Sequence, residues 1–308
     1  MANEGRARAS LNVLVSKNMP QAGTILKIIR TSRPLFWLVH ISLFIVGAVA
    51  SGKFFYASKR FFIPILLLTA PFSLFVYAIN DYYDLESDRH NPRKGGVFGE
   101  KHTNTDAQKL RAQGFAGLAT TLVGFAFFGL ERVALVVILS IALYAYSAPP
   151  LRLKSVPVAD ALVGGGFYLS TLVFMGFVLS GGNVRTSMAA IKPSLAAVFL
   201  VGFTLHAIGA VIDEIPDRKQ GVVTSAIYFG AQKVILFCLC LVLLAMIALT
   251  LPVFFKILLT LVSLICLLFL YPAIRKNTKA AMFISKYCIY VFSFSTALLA
   301  LFKPELII

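Results

Sequence analysis

The chain has 308 residues, 58% of them hydrophobic and only 14% charged, against roughly one quarter charged in an ordinary soluble domain. Its formal net charge of +16 invites a nucleic-acid reading, but no basic soluble module is long enough to carry one, so no nucleic-acid partner is expected. The composition is that of a chain built to sit among membrane lipids.

In chain order, the first 34 residues are basic and lack an apolar core of signal-peptide type, so no cleaved leader is expected. Residues 24–33 are expected to form a short helix on the membrane surface, with Trp37 at the interface just past Pro34. Apolar stretches then recur near 35–52, 61–79, 112–130, 132–147, 160–180, 194–212, 232–250, 252–271 and 284–302. Each is close to the roughly 20 residues that cross hydrocarbon as a helix. They lack the alternation of barrel strands, and lipid offers backbone amides no outside partner. The expected fold is all-α, with nine transmembrane helices around a central cavity, arranged as two four-helix units plus one helix. Residues 1–34 form a cytoplasmic segment and 35–308 the membrane domain.

Of the 29 Lys and Arg residues, 21 fall in the N-terminal segment and the second, fourth, sixth and eighth loops, and 8 on the other side. The first side is therefore expected to face the cytoplasm. Cys238, Cys240, Cys266 and Cys288 all lie in predicted spans and read as small buried hydrophobes, with Cys238 and Cys240 on different helix faces.

Only 13 residues are acidic, and seven of them lie in two segments. The first, Asn80-Asp81-Tyr82-Tyr83-Asp84-Leu85-Glu86-Ser87-Asp88, ends the second span. On a helix Asn80, Asp84 and Asp88 recur every four residues, with Asp81 three before Asp84, so oxygen ligands line one side. The second, Asp213-Glu214-Ile215-Pro216-Asp217, ends the sixth span, and Pro216 breaks or kinks its helix. Either alone would fit a solvated helix end. Together they follow even-numbered spans on one side of the membrane, where ionisable residues bordering hydrocarbon are by default functional.

Clustered carboxylates repel one another unless cations join them. Mg²⁺ prefers oxygen and is usually held by one or two carboxylates plus substrate phosphate oxygens, so a diphosphate carried with Mg²⁺ fits both segments at once. The same side supplies cations for the remaining charge. Arg152 and Lys154 follow the fourth span, Arg218 and Lys219 follow Asp217, and Arg93 and Lys94 follow Asp88. Lys219 and Arg93 read better as positive-inside anchors. The loop at about 89–111 is long and contains Gly95, Gly96 and Gly99, as a closing lid or a plain connector would. Lys94 would close onto the diphosphate in the first case. His206 lies seven residues before Asp213 on about the same helix face; contact with a second substrate and an interhelical hydrogen bond are both open, as they are for His40. His90 and His102 are expected to be solvated.

These residues resemble the UbiA-type intramembrane prenyltransferases, whose signatures are NDxxDxxxD after the second helix and DxxxD after the sixth. NDYYDLESD and DEIPD match them. So do the run from Asp213 through Gly221 to Thr224, the Tyr146-to-Lys154 loop, and Arg33-Pro34 at the entry to the first helix. The resemblance implies that Asn80, Asp81, Asp84, Asp88, Asp213 and Asp217 bind metal and diphosphate, directly or through water. It also implies that Tyr146, Arg152 and Lys154 contact or orient the diphosphate. The segment Arg89 to Gly96 looks closer to carotenoid-elongating and archaeal-type members than to those acting on aromatic acids or glycerol lipids.

The implied reaction moves a prenyl group from an isoprenyl diphosphate to a lipophilic acceptor: a quinone precursor, a carotenoid or another lipid. Metal and Lys154 or Arg152 would stabilise the leaving diphosphate, and an apolar chamber would keep water from the allylic cation. Tyr82, Tyr83, Phe167, Tyr168 and Phe174 are candidate walls. Asp84, Asp88, Asp213, Asp217 and Lys154 carry the catalytic expectation, with Arg218 and His206 as further substrate contacts. The rival is an ion-coupled transporter, whose acids should lie near the bilayer midplane.

Overall fold

The structure, a computed structural model, describes residues 22–52, 58–88, 99–179, 184–219 and 221–272, with scattered positions up to 307. Twelve helices are followed here: α1 (Ala22–Thr31), α2 (Pro34–Ala50), α3 (Ser58–Leu68), α4 (Ala70–Asp88), α5 (Ala107–Ala126), α6 (Leu130–Ser147), α7 (Ala159–Leu179), α8 (Val184–Ile212), α9 (Glu214–Lys219), α10 (Ser225–Phe229), α11 (Ala231–Ala248) and α12 (Val253–Leu270). No strand occurs among the described residues, as lipid requires of a chain that closes no barrel.

Six helices are long and apolar enough to cross a membrane: Phe61–Glu86, which runs through α3 and α4, then α6, α7, Met188–Ile212 within α8, α11 and α12. The bent pair of α1 and α2, at 47°, makes a seventh. The predicted first, second, fourth, fifth, sixth, seventh and eighth spans coincide with these. The third is present as α5, whose 20 residues include Gln108, Lys109, Arg111 and Gln113 at its start and leave it less apolar than the rest. The ninth, 284–302, falls outside the described residues but for Ile284, Tyr287 and Phe302.

Helix α7 joins the two halves of the chain by packing against α2, α6 and α8. With α2 the approach is backbone to backbone. A Cβ on Gly47 would lie 1.7 Å from the Val173 carbonyl oxygen, and one on Gly176 would lie 2.0 Å from that of Phe44. Small residues at such crossings let dispersion contacts hold helices that gain no hydrophobic drive from lipid. In the first half α4 packs on α5 and α6; in the second α8 packs on α11 and α12.

The short helix expected at 24–33 is present as α1. Ile25, Leu26 and Ile29 are exposed, while Lys27 and Arg30 pair with Asp106 (2.9 Å) and Glu100 (3.6 Å). Those pairs hold residues 99–106 beneath α1 and bring His102 inward. Contrary to the expectation of a solvated ring, its side chain is 4% exposed, with Nε2 3.2 Å from the Thr31 hydroxyl. His40 joins helices: Nδ1 lies 2.9 Å from the Leu68 carbonyl and 3.1 Å from the Ser73 hydroxyl, and Nε2 meets the Tyr168 hydroxyl. Cys238 and Cys266 are buried as expected, but Cys240 is exposed, because a spacing of two residues turns it to a different helix face from Cys238; Cys288 lies outside the described residues.

Candidate active site at the two aspartate segments

The first aspartate segment is the last two turns of α4, and it carries the site's most enclosed charges. Asp81 is 1% and Asp84 8% exposed. Bare carboxylates there would be costly, and each is met by a cation brought from a distant part of the chain. Arg33 donates to Asp81 Oδ1 at 2.7 Å. It stands in the left-handed region (φ 53°) between α1 and α2, with its guanidinium 4.4 Å from the Tyr77 ring centroid. Burial would lower the Arg33 pKa, yet Asp81, Tyr77 and Asp88 hold it above the usual guanidinium value.

Asp84 Oδ1 accepts from Lys154 and, at 3.4 Å, from Arg152. Both cations come from the short loop after α6, where Leu153–Ser155 makes a 3₁₀ turn preceded by Arg152 at φ 38°. Lys154 is itself buried, at 9% exposure. The predicted cations and the predicted central aspartate are thus brought together. Asn80 reaches towards the Ser147 hydroxyl at 3.4 Å, and Asp88 is half-buried at the end of α4.

The second segment is looser. Helix α8 stops at Ile212, Asp213 forms the turn, and Pro216 sits in the first turn of α9. Pro216 lacks the N–H that would pair with the Ile212 carbonyl, so the helix breaks where that bond would form. Asp213 and Asp217 are half-buried and linked by the Asp217 amide donating to the Asp213 carbonyl at 2.9 Å. Arg218 pairs with Glu214 at 3.1 Å, its side chain 62% exposed. It is therefore turned to its own helix and the surface rather than to Asp84 and Lys154. Lys94 lies outside the described residues.

Tyr146 and His206 meet between the segments, hydroxyl to Nε2 at 3.1 Å, with rings edge to face at 5.7 Å. They pack on a π-helical stretch, Leu162–Phe167. A Cβ on Gly164 would lie 2.6 Å from the His206 ring, and one on Gly165 2.2 Å from the Gly202 carbonyl oxygen. The charges of Asp160, Asp84, Asp217 and Asp213 all act on the Tyr146 hydroxyl, so carboxylates of both segments lie on its side of the bundle. Asp160, missed in the sequence, is 1% exposed and bound to Ser225. A lone carboxylate at the start of an apolar span was the signal available for it.

Of the candidate walls, Tyr83, the residue before Asp84, pairs its hydroxyl at 2.9 Å with that of Tyr144, a residue the sequence did not single out. Tyr168 and Phe174 are buried in the core. An open apolar groove of ≈ 390 Å³ lies between α4, α5 and α6, lined by residues including Phe75, Leu118, Ile141 and Tyr144, and ends on the Ala148–Leu151 loop that leads into Arg152; Phe115, Ile141 and Leu151 in its lining are exposed.

The description of the UbiA prenyltransferase family matches residues 38–294. The chain belongs to that family. Among its relatives, lycopene elongase/hydratase of Corynebacterium glutamicum is 32% identical over 225 residues, covering 72% of this chain and 76% of that one. The protein of the same name from Haloarcula japonica is 30% identical over 217 residues, or 68% and 69%. Solved UbiA homologues share the fold. One from Archaeoglobus fulgidus, bound to DMAPP and Mg²⁺, aligns at a TM-score of 0.61 and 18% identity over 88% of this chain and 99% of its own. The apo homologue from Aeropyrum pernix K1 aligns at 0.65 and 18% over 87% and 99%. This UbiA-family member is an integral membrane enzyme of the prenyltransferase class. Its acids stand at the ends of α4 and α8, away from mid-helix, which leaves the transporter reading without support.

Proposed function

We propose that the protein transfers a prenyl group from an isoprenyl diphosphate, held with Mg²⁺ between the two aspartate segments, to a long apolar acceptor of the carotenoid kind, and that the site opens to the cytoplasm. The observation carrying this reading is the pairing of Lys154 and Arg152 with Asp84 beside Tyr146, where carboxylates of both segments converge. The acceptor class follows from relatives named lycopene elongase/hydratase and from the segment after Asp88. The cytoplasmic opening follows from the 21 basic residues on that side.

The residues fit Mg²⁺. Asn80, Asp84, Asp88, Asp213 and Asp217 offer only hard oxygen donors, and among the described residues no three acids, histidines or cysteines form a ready metal cage. That suits an ion that takes one or two carboxylates and completes its shell from phosphate and water. Bound there, Mg²⁺ would neutralise charge on the phosphate oxygens. Asp81, already committed to Arg33, has the least freedom to join it.

Lys154 and Arg152 neutralise Asp84 in the ligand-free site. Passing them to the phosphate oxygens places cations where charge develops as the allylic C–O bond breaks. Tyr146, held by His206, orients the departing diphosphate. Tyr144 lines the apolar groove and its hydroxyl pairs with that of Tyr83, the residue before Asp84, and the two rings would help keep water from the allylic cation. The acceptor then attacks through a carbon or oxygen, and a proton is released to water where the product requires it.

The test uses the purified full chain in lipid vesicles with labelled geranyl diphosphate, with and without Mg²⁺, and a polyene or quinone-precursor acceptor. Metal-dependent binding and transfer to the polyene are expected, with both abolished in Asp84→Ala and Asp217→Ala. Binding in the wild type that ignores Mg²⁺, or variants that bind as it does, would overturn the site; transfer only to another acceptor would overturn the acceptor.

A further inference from the structure

Asp160 is a buried carboxylate that the proposed chemistry does not use. Its Oδ2 accepts the Ser225 backbone N–H at 2.9 Å and its Oδ1 accepts the Ser225 hydroxyl at 2.5 Å. The same hydroxyl oxygen accepts the Val158 N–H at 2.7 Å. Asp160 therefore caps the first turn of α10 from across the site, while Thr224, at the cap position, makes no side-chain cap bond. Val158 adopts φ 72°, which a β-branched residue rarely does. The surroundings impose that conformation, and the hydroxyl of Ser225 is among its constraints.

What gives the contact a role is what it joins. On one side, backbone bonds run without a gap from the cation loop: Ser155 to Arg152 (2.9 Å), Val156 to Leu153 (3.0 Å), Asp160 to Val156 (3.0 Å). On the other, Asp217 is bonded to Asp213 (2.9 Å) and Val222 to Asp217 (3.0 Å), two residues before Thr224. Lys154 and the second aspartate segment are thus connected through hydrogen-bonded turns, continued on the second side by residues 222–224 outside any helix, that meet at Asp160 and Ser225.

We infer that Asp160 is a positioning residue of the transfer reaction: through Ser225 it holds the Arg152–Lys154 loop against the segment that follows Asp217, and so sets the width of the diphosphate site. The inference rests on the diphosphate reading above, so its test carries one arm that needs no ligand.

Spin labels at Val156→Cys and Val223→Cys, both exposed positions, in a full chain lacking the native cysteines, should report one narrow distance. Asp160→Asn and Ser225→Ala should broaden or lengthen it, and Ser225→Thr, which keeps N–H and hydroxyl, should restore it. In the second arm, Asp160→Asn is expected to raise KM and Kd for geranyl diphosphate with Mg²⁺ about tenfold, with kcat changed less. Ser225→Ala, which keeps the backbone bond, should change them about threefold. Unchanged distances in folded Asp160→Asn and Ser225→Ala overturn the inference whatever the ligand arm gives. Altered distances with wild-type KM and Kd overturn the positioning role. Absence of binding in the wild type overturns the diphosphate reading and leaves the distance arm to decide the staple. If Asp160→Ala does not fold, the Asn and Ser225 variants decide.

Discussion

The two aspartate segments have similar sequences and opposite mechanical characters. The first is continuous helix, with Asp81 and Asp84 sealed from solvent and each bound to a cation from another part of the chain, Arg33 or Lys154. The second is a broken helix whose aspartates are half-buried and whose ion pair, Arg218 with Glu214, is local and exposed. The same residue type thus stands in one segment as an enclosed wall and in the other as a more open one. A site that must admit a bulky anion and then grip it gains from having one of each.

The contrast is most sharply broken at Lys154. Lys154→Met takes from buried Asp84 its close cation and leaves the longer Arg152 contact. It should destabilise the ligand-free protein by on the order of 3 kcal/mol and lower transfer on the order of a hundredfold or more. Adding Asp84→Asn should recover most of the stability and none of the transfer, a pattern that thermal unfolding in detergent and a transfer assay read separately. Arg33→Ala comes next. It takes the guanidinium from buried Asp81, leaving His102 3.7 Å away, and should destabilise by about 2–3 kcal/mol, with Arg33→Lys recovering only part because an ammonium lacks the guanidinium fork. At the second segment, Asp217→Ala should abolish metal-dependent binding while stability shifts by about 0.5 kcal/mol. Glu214→Ala should cost about 0.3–0.5 kcal/mol and leave KM unchanged. A stability loss at Asp217 as large as that at Lys154 would erase the distinction between the segments.

Most of the membrane architecture was legible because hydrocarbon admits so few solutions: a run of about 20 apolar residues has to be a helix, and seven of the nine expected spans stand where the run predicts. The site was legible for the converse reason. Carboxylates in so apolar a chain are conspicuous, and Arg152 and Lys154 follow the fourth span on their side. What spacing could not show was which distant cation meets which acid. Arg33 is 48 residues from Asp81, and its role depends on a left-handed turn between two helices that local propensity does not encode. Arg218, adjacent to Asp217, looked like a ligand and is instead drawn to Glu214 one helical turn back. His102 looked solvated because its loop is polar, and is buried because α1 folds over that loop. Asp160 was visible as a lone acid opening an apolar span, but its partner lies 65 residues on, beyond any periodicity.

The smallest expected effect concerns the strap that holds α1 over the first segment. Partial burial would raise the Asp106 pKa, but bonds from the Thr103 amide and hydroxyl and from Lys27 outweigh it and bring the value down to about 2, from 3.8 for the free group. A carboxylate whose folded pKa is depressed adds stability that is fully present above the unfolded value and disappears as pH falls through the folded one. The strap should therefore be pH-independent above about pH 5 and loosen between about pH 4 and pH 2. Hydrogen exchange of the α1 amides would follow it. In Lys27→Ala the folded pKa moves back towards 3.8, the loosening shifts to higher pH, and exchange at neutral pH rises by a few-fold, about what one partly exposed ion pair is worth. The first segment keeps its own clamp through Arg33, so transfer at neutral pH should change little. A large loss of transfer in Lys27→Ala would mean that Asp81 is fixed by the strap as a whole, and that the rigidity of the first segment begins at the membrane surface rather than at Arg33.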